Sequence, residues 1–415
     1  MADSTKKQFQ KVTIDTAVAG TPIAERYEAY ARETGAEIVY SDAVGPALHE
    51  GHTLTSGKKQ VLVTSHKGAA VKECTGLEEH YVCCNLHVMN QTTNCPLDCS
   101  YCILQAYINQ PITTVHANVA EMMDQVEAQC EAQPGRLFRI GTGDLGDALA
   151  LDPLGGVTAE LIPRFSRLPN AVLELKTKSN AVDQLMDLQH NGRVVIAWSM
   201  NARHVVDTEE HRCASIDERL EAAKKVIAAG YPVAFHFDPM VVHDGWERGY
   251  AEVIQAIAEA IPAEHIAWMS MGALRFPPAM QKKMAERFPN STLRLGEMLI
   301  GHDGKMRYLK PQRLAMYQHL FGQIREQLGE DIFVYLCMEN QELWRRTFGY
   351  VPTSNNDLDY RFSCSVVRRF PTMLEHEPRW DDYRGAVNLN SGNGVVRPSA
   401  PVDASPESTS GAAVR

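Results

Sequence analysis

Six short apolar runs separated by longer amphipathic stretches constrain this chain more than any other feature: LFRIGTGD, AVLELKTK, RVVIAWSMN, YPVAFHFDP, HIAWMSMG and DIFVYLCME. Such alternation indicates repeated strand–helix units around a parallel sheet. One intervening stretch, SIDERLEAAKKVIAAG, carries its own start and stop signals, with Ser215 as N-cap, Glu218 completing a capping box and Gly230 ending the helix. Five or six strands in this order suit a full or partial β/α barrel, with chemistry at the C-terminal strand ends. The residues placed at that mouth are Gly141–Asp144, Lys176–Lys178, Ser199–Asn201, His236–Asp238, Ser270 and Cys337–Glu339.

Ahead of the barrel, residues 1–88 read as a small capping region. It contains a helix, TPIAERYEAYARETG, strands AEIVY and VLVTS, and a cysteine-rich segment. The barrel is expected over 89–325 and a C-terminal extension with the last strand over 326–387. From Asn388 the chain is rich in Ser, Pro, Gly and Ala, which predicts disorder over 388–415. No apolar run reaches the ~18 residues of a membrane span, and the N-terminus lacks a signal-peptide core, so a cytoplasmic location is expected. In that reducing setting ten cysteines, six of them between Cys74 and Cys102, point to metal or redox chemistry.

Three of these, in NCPLDCSYCILQ, have the spacing C-x3-C-x2-C. Thiolates hold cubane iron–sulfur clusters, and Cys95, Cys99 and Cys102 as the only ligands would leave one of four irons open. The spacing closely resembles the radical S-adenosylmethionine (AdoMet) superfamily. The resemblance implies a [4Fe–4S] cluster whose open iron chelates AdoMet, and reductive cleavage to a 5′-deoxyadenosyl radical. The competing reading is a zinc-stabilised binding protein with a fourth ligand from Cys83, Cys84 or His87. GTGD, ending the first strand after the loop, agrees with the superfamily. There Gly141, Thr142 and Gly143 would let the backbone approach the cofactor, and Asp144 would take its ammonium.

A narrower likeness follows from TNCPLDCSYCILQ, LKTKSNAVDQL, WSMN, DERLEAAKKVIAAGYPVAFHFDP and HDGWERGY, which together resemble the spore photoproduct lyase family over roughly residues 60–340. That resemblance implies a partial parallel β/α (TIM-like) barrel of radical AdoMet type with small terminal extensions. It also implies lyase-like repair of a thymine lesion in DNA, and a reducing partner such as flavodoxin or ferredoxin. By motif, Lys178, Ser199 and Asn201 fall among cofactor contacts, and Lys305, Arg307 and Tyr308 near a DNA-contacting hairpin. Two positions depart from the family pattern. Its hydrogen-returning cysteine falls at Gly141 and its relay tyrosine at Ile103, leaving Tyr101 as the nearby phenol.

Cys337, closing a late strand, is the candidate replacement donor, and His236 with Asp238, two apart on one strand face, are candidates for substrate binding or proton transfer. Cys74, Cys83 and Cys84 form a candidate auxiliary metal group. The run Lys305, Arg307, Lys310, Arg313 is the best basic stretch for phosphate, with Arg345–Arg346 and Arg368–Arg369 behind it. A net charge of −10 argues against chain-wide electrostatic binding of nucleic acid and keeps a radical enzyme acting on a non-DNA substrate as the alternative.

Overall fold

The computed structural model describes residues 8–74 and 80–385. The chain opens with strands β1 (Lys11–Asp15), β2 (Glu37–Ser41) and β3 (Gln60–Thr64). Then β4 (Val71–Glu73), β5 (His87–Met89), β6 (Thr92–Thr93) and β7 (Thr113–His116) lie on either side of the cysteine motif. The expected apolar runs follow as β8 (Phe138–Thr142), β9 (Ala171–Thr177), β10 (Val194–Ser199), β11 (Val233–Met240) and β12 (Ile266–Ala273). Short strands β13 (Arg275–Phe276), β14 (Leu299–Ile300) and β15 (Met306–Arg307) precede β16 (Phe333–Leu336).

Two sheets carry the architecture. In the larger the order is β16-β12-β11-β10-β9-β8-β5-β4, parallel from β16 to β5, with β4 antiparallel at the edge. Neighbours follow chain order, as successive strand–helix crossovers demand, and the sheet curls into a half-barrel. Its strands are buried almost throughout, β10 at every position, which accounts for the continuous apolar runs in the sequence. The helix Ile216–Ala228 forms as expected, with the Ser215–Glu218 capping box and Gly230 at φ +92°.

The other sheet departs from the expected small cap. It has five strands, ordered β2-β1-β3-β7-β6, and takes two of them from the far side of the expected boundary at residue 88, which itself falls within β5. The cysteine motif therefore connects β6 to β7, neighbouring antiparallel strands of this sheet. Sequence periodicity reveals a strand but not its sheet, because two-residue β6 carries no pattern of its own. The tail expected to be disordered from Asn388 lies outside the described residues, and no helix among those described is long and apolar enough to cross a membrane.

Candidate radical AdoMet site

The cysteine loop is anchored from several directions. Cys99 bridges Glu210 in antiparallel fashion, and Ser100 N–H donates to the Glu209 carbonyl at 2.9 Å. Asp98, at φ +56°, receives Lys58 and Arg287, each at 2.6 Å, and these cations hold its carboxyl below the usual range against the opposing effect of burial. Lys283 Nζ donates to the Gln105 carbonyl at 2.6 Å. Tyr101 donates its hydroxyl to Glu210, which also pairs with buried Arg219. Burial and the Glu210 charge push the Tyr101 phenol well above its ordinary pKa.

Opposite this loop stands the end of β8. Gly143 has φ +93°, and a Cβ there would meet Ala148 N and Lys176 O at 3.2 Å, so glycine is required. At Gly146 a Cβ would sit 2.7 Å from Thr92 Oγ1 and 3.1 Å from Asn94 O, so the turn rests directly on the strand entering the cysteine motif. Asp147 ties this turn to β9: Oδ1 accepts from Thr177 Oγ1 at 2.6 Å and Oδ2 from Lys178 N at 2.8 Å. Lys178 Nζ lies 5.7 Å from the Tyr101 ring centroid, and its charge is reinforced by Glu210 and the Cys99 and Cys213 sulfurs against burial. The Asp144 carboxyl makes no hydrogen bond within the described residues and is pushed up by burial, with Lys176 partly offsetting. Thr142 Oγ1 is buried without a partner.

The three thiols suit an iron–sulfur cluster by donor chemistry and placement. Burial, then Asp147 and the two other thiols, raises Cys95, and burial followed by Cys99 raises Cys102, so neutral thiols crowd one another here. Bound iron would reverse this, because coordination takes the thiolate. Among the described residues no three His, Cys, Asp or Glu side chains are gathered to hold one ion. A cubane asks for less, since each of its irons takes a different thiolate.

Inside the barrel His236 and Asp238 enter separate networks. His236 Nε2 meets Glu174 Oε1 at 2.5 Å and Nδ1 meets Ser270 Oγ at 2.6 Å. Burial opposes the Glu174 charge, but His236, Arg139 and Lys176 outweigh it and hold its pKa at about 2. Asp238 instead takes both ends of the Arg275 guanidinium, at 2.9 and 3.1 Å, and Arg275 Nη2 reaches Cys337 Sγ at 3.4 Å. Segment 82–84 crosses to the segment after the last strand, where Val82 bridges Glu339, and brings Cys83 and Cys84 near Cys337. Cys84 Sγ accepts from Arg139 Nη2 at 2.7 Å, and hydrogen bonding from Cys83, then Arg139, lowers its pKa. Over Gly141 the space is filled by Leu86, whose Cδ1 would be 3.2 Å from a Cβ.

Other expected residues make contacts within the scaffold. Asn201 donates to Pro239 O at 2.8 Å and accepts from Tyr250 Oη at 2.6 Å, joining β10 to β11. Ser199, also buried, gives its carbonyl to Arg219 at 2.7 Å. Of the hairpin residues, Lys305 pairs with Asp303 at 3.3 Å, Arg307 with Asp303 at 2.8 Å, and Tyr308 is buried with its hydroxyl on Val242 N. Lys310 pairs with Glu342 at 2.5 Å and Arg313 with Glu339 at 2.9 Å, so carboxylates take up the whole basic run. Arg369 likewise donates to the Ile266 and Ala263 carbonyls. Glu174, Arg139, Asp147, Glu210, Arg275 and Cys213 were not singled out from sequence. For the first two a signal existed, a charged residue alternating with apolar ones in LELK and FRIG.

Residues 84–337 match the spore photoproduct lyase family. The chain belongs to the spore photoproduct lyase family. The spore photoproduct lyase of Bacillus subtilis is 30% identical over 208 residues, covering 49% of this chain and 61% of that enzyme. The enzyme of Clostridium acetobutylicum is 21% identical over 290 residues, 69% of this chain and 82% of its own length. Thus the chain spans 61% of the length of the Bacillus subtilis relative. A solved structure of a spore photoproduct lyase variant with bound AdoMet and dinucleoside spore photoproduct superposes with TM-score 0.68 at 23% identity, covering 80% of this chain and 99% of that one. It establishes the shared half-barrel fold.

Proposed function

We propose that this family member is a radical AdoMet enzyme that abstracts hydrogen from a pyrimidine photoproduct or related lesion in DNA. The observation that carries the reading is the fit of the Gly143–Asp147 turn against the strand entering the cysteine loop, with the Asp144 carboxyl making no hydrogen bond among the described residues and Lys178 Nζ over the Tyr101 ring. A related structure holds AdoMet and a dinucleoside lesion in the same fold, which supports both ligand classes. Cys95, Cys99 and Cys102 would hold the [4Fe–4S] cluster, which when bound supplies the electron that cleaves AdoMet.

The chain's own residues then divide the work. Asp144 accepts the AdoMet ammonium, the Gly141–Thr142–Gly143 backbone lies along its methionyl part, and Lys178 and Ser199 complete the contacts. Tyr101 and Asn201 act through position, Tyr101 by docking the loop on Glu210 and Asn201 by fixing β10 to β11. The His236–Glu174 pair orients substrate, and Cys337, beside Asp238 and Arg275, returns a hydrogen atom to the product radical. A one-electron donor protein of the flavodoxin or ferredoxin class and a reducing cytoplasm complete the reading, the latter in keeping with a chain of ten cysteines clustered as metal ligands are.

A second reading, the same chemistry on a non-DNA substrate, draws on the pairing of Lys305, Arg307, Lys310 and Arg313 with carboxylates. One experiment separates the two. Candidate substrates deuterated at the reactive carbon are supplied, and deuterium is sought in the 5′-deoxyadenosine formed. Transfer from a DNA lesion supports the first reading; cofactor cleavage with transfer only from a non-nucleic-acid substrate overturns it.

A further inference from the structure

Cys213 is one of three cysteines, with Cys130 and Cys364, that none of the roles above uses. Its Sγ lies 3.5 Å from Cys99 Sγ, across 114 residues of chain. This approach is set by backbone. Cys99 bridges Glu210, Ser100 N donates to Glu209 O at 2.9 Å, Cys213 N to Glu210 O at 3.2 Å, and Ala214 N to Lys178 O at 3.0 Å. Arg219 Nε then clamps Ala214 O at 2.9 Å. Both cysteines thus belong to one hydrogen-bonded patch. The sulfurs must close by about 1.5 Å to reach the bonding length of about 2.05 Å.

The two thiols differ in access. Cys213 is half-buried on a turn whose His211 and Arg212 are exposed, whereas Cys99 is buried. We propose that Cys99 and Cys213 form a reversible disulfide under oxidation by peroxide, withdrawing the middle thiol of the C-x3-C-x2-C motif so that iron loading depends on thiol redox state. Hydrogen peroxide oxidises the Cys213 thiol to a sulfenic acid, releasing one water. The Cys99 thiol then attacks that sulfur, the S–S bond forms and a second water leaves. A dithiol reductant restores both thiols by exchange and is itself oxidised to a disulfide. Only the consequence for iron rests on Cys99 being a cluster ligand; the disulfide does not.

The full chain, stripped of metal and reduced, is treated with hydrogen peroxide, alkylated and mapped by mass spectrometry. A parallel sample is offered ferrous iron and sulfide without oxygen, before and after dithiothreitol. Expected is a linked Cys99–Cys213 peptide pair, roughly tenfold less iron bound after peroxide, and recovery with dithiothreitol. Cys213→Ser should load iron normally when reduced and lose the dithiothreitol-reversible component. Cys130→Ser, altering a buried cysteine on helix Val119–Ala132, should retain it. Matching circular dichroism spectra exclude misfolding of either variant. An alkylatable Cys213 in peroxide-treated wild type, or a Cys95–Cys102 link in its place, overturns the proposal. Failure of reduced wild type to take up iron would instead overturn the cluster reading, with the mapped disulfide unaffected.

Discussion

Two regions of this molecule are rich in polar side chains, and they treat them in opposite ways. Around the cysteine loop, capacity is left over: among the described residues the Asp144 carboxyl makes no hydrogen bond, Thr142 Oγ1 is buried without a partner, and burial raises the Cys95 and Cys102 thiols. Around the β14–β15 hairpin, capacity is used up. Asp303 takes Lys305 and Arg307, Glu339 takes Arg313 and Tyr317, and apolar Leu299 and Ile300 are exposed beside His302. Buried polar groups normally find partners, so a local surplus of unmet groups marks where a ligand belongs, and a fully paired cluster marks scaffold.

The largest effect that would break this contrast is at Cys99. Cys99→Ala should reduce iron per chain to background after anaerobic reconstitution, and normal iron content would remove the loop from the site. Next comes Glu174→Gln, which probes the barrel interior. The Glu174 pKa is depressed from 4.5 to about 2, so its contribution is present above pH 4.5 and is lost as pH falls through about 2. The variant should lose on the order of 3 kcal/mol at pH 7 and show a flatter acid limb in thermal melts. Arg307→Ala follows: it leaves Asp303 with Lys305 alone and should cost about 2 kcal/mol in denaturant unfolding. It should leave the salt dependence of any DNA binding unchanged; a reduced slope would make Arg307 a phosphate contact. Smallest is Ser215→Ala, expected to cost about 1 kcal/mol by removing the cap of helix Ile216–Ala228, whose Arg219 still holds Glu210 behind the cysteine loop, with iron loading unchanged.

Strand positions were legible because buried parallel strands demand continuous apolar runs, and the helix after Ser215 was legible from its caps. The cluster cysteines were legible because their chemistry is local, within eight residues. What sequence concealed was partnership at a distance. Arg307 reads as a phosphate ligand until Asp303 and Glu339 are seen beside it. His236 and Asp238 share a strand face, yet Glu174 claims one and Arg275 the other. Cys213 has no local motif at all, since its approach to Cys99 is created by the bridge at Glu210.

Cofactor cleavage tests the central claim most directly. Anaerobically reconstituted protein is mixed with AdoMet and a strong one-electron reductant, and 5′-deoxyadenosine is quantified alongside Cys99→Ala. Production that depends on Cys99 is the expected result. An intact [4Fe–4S] cluster that yields no 5′-deoxyadenosine would contradict the radical AdoMet assignment.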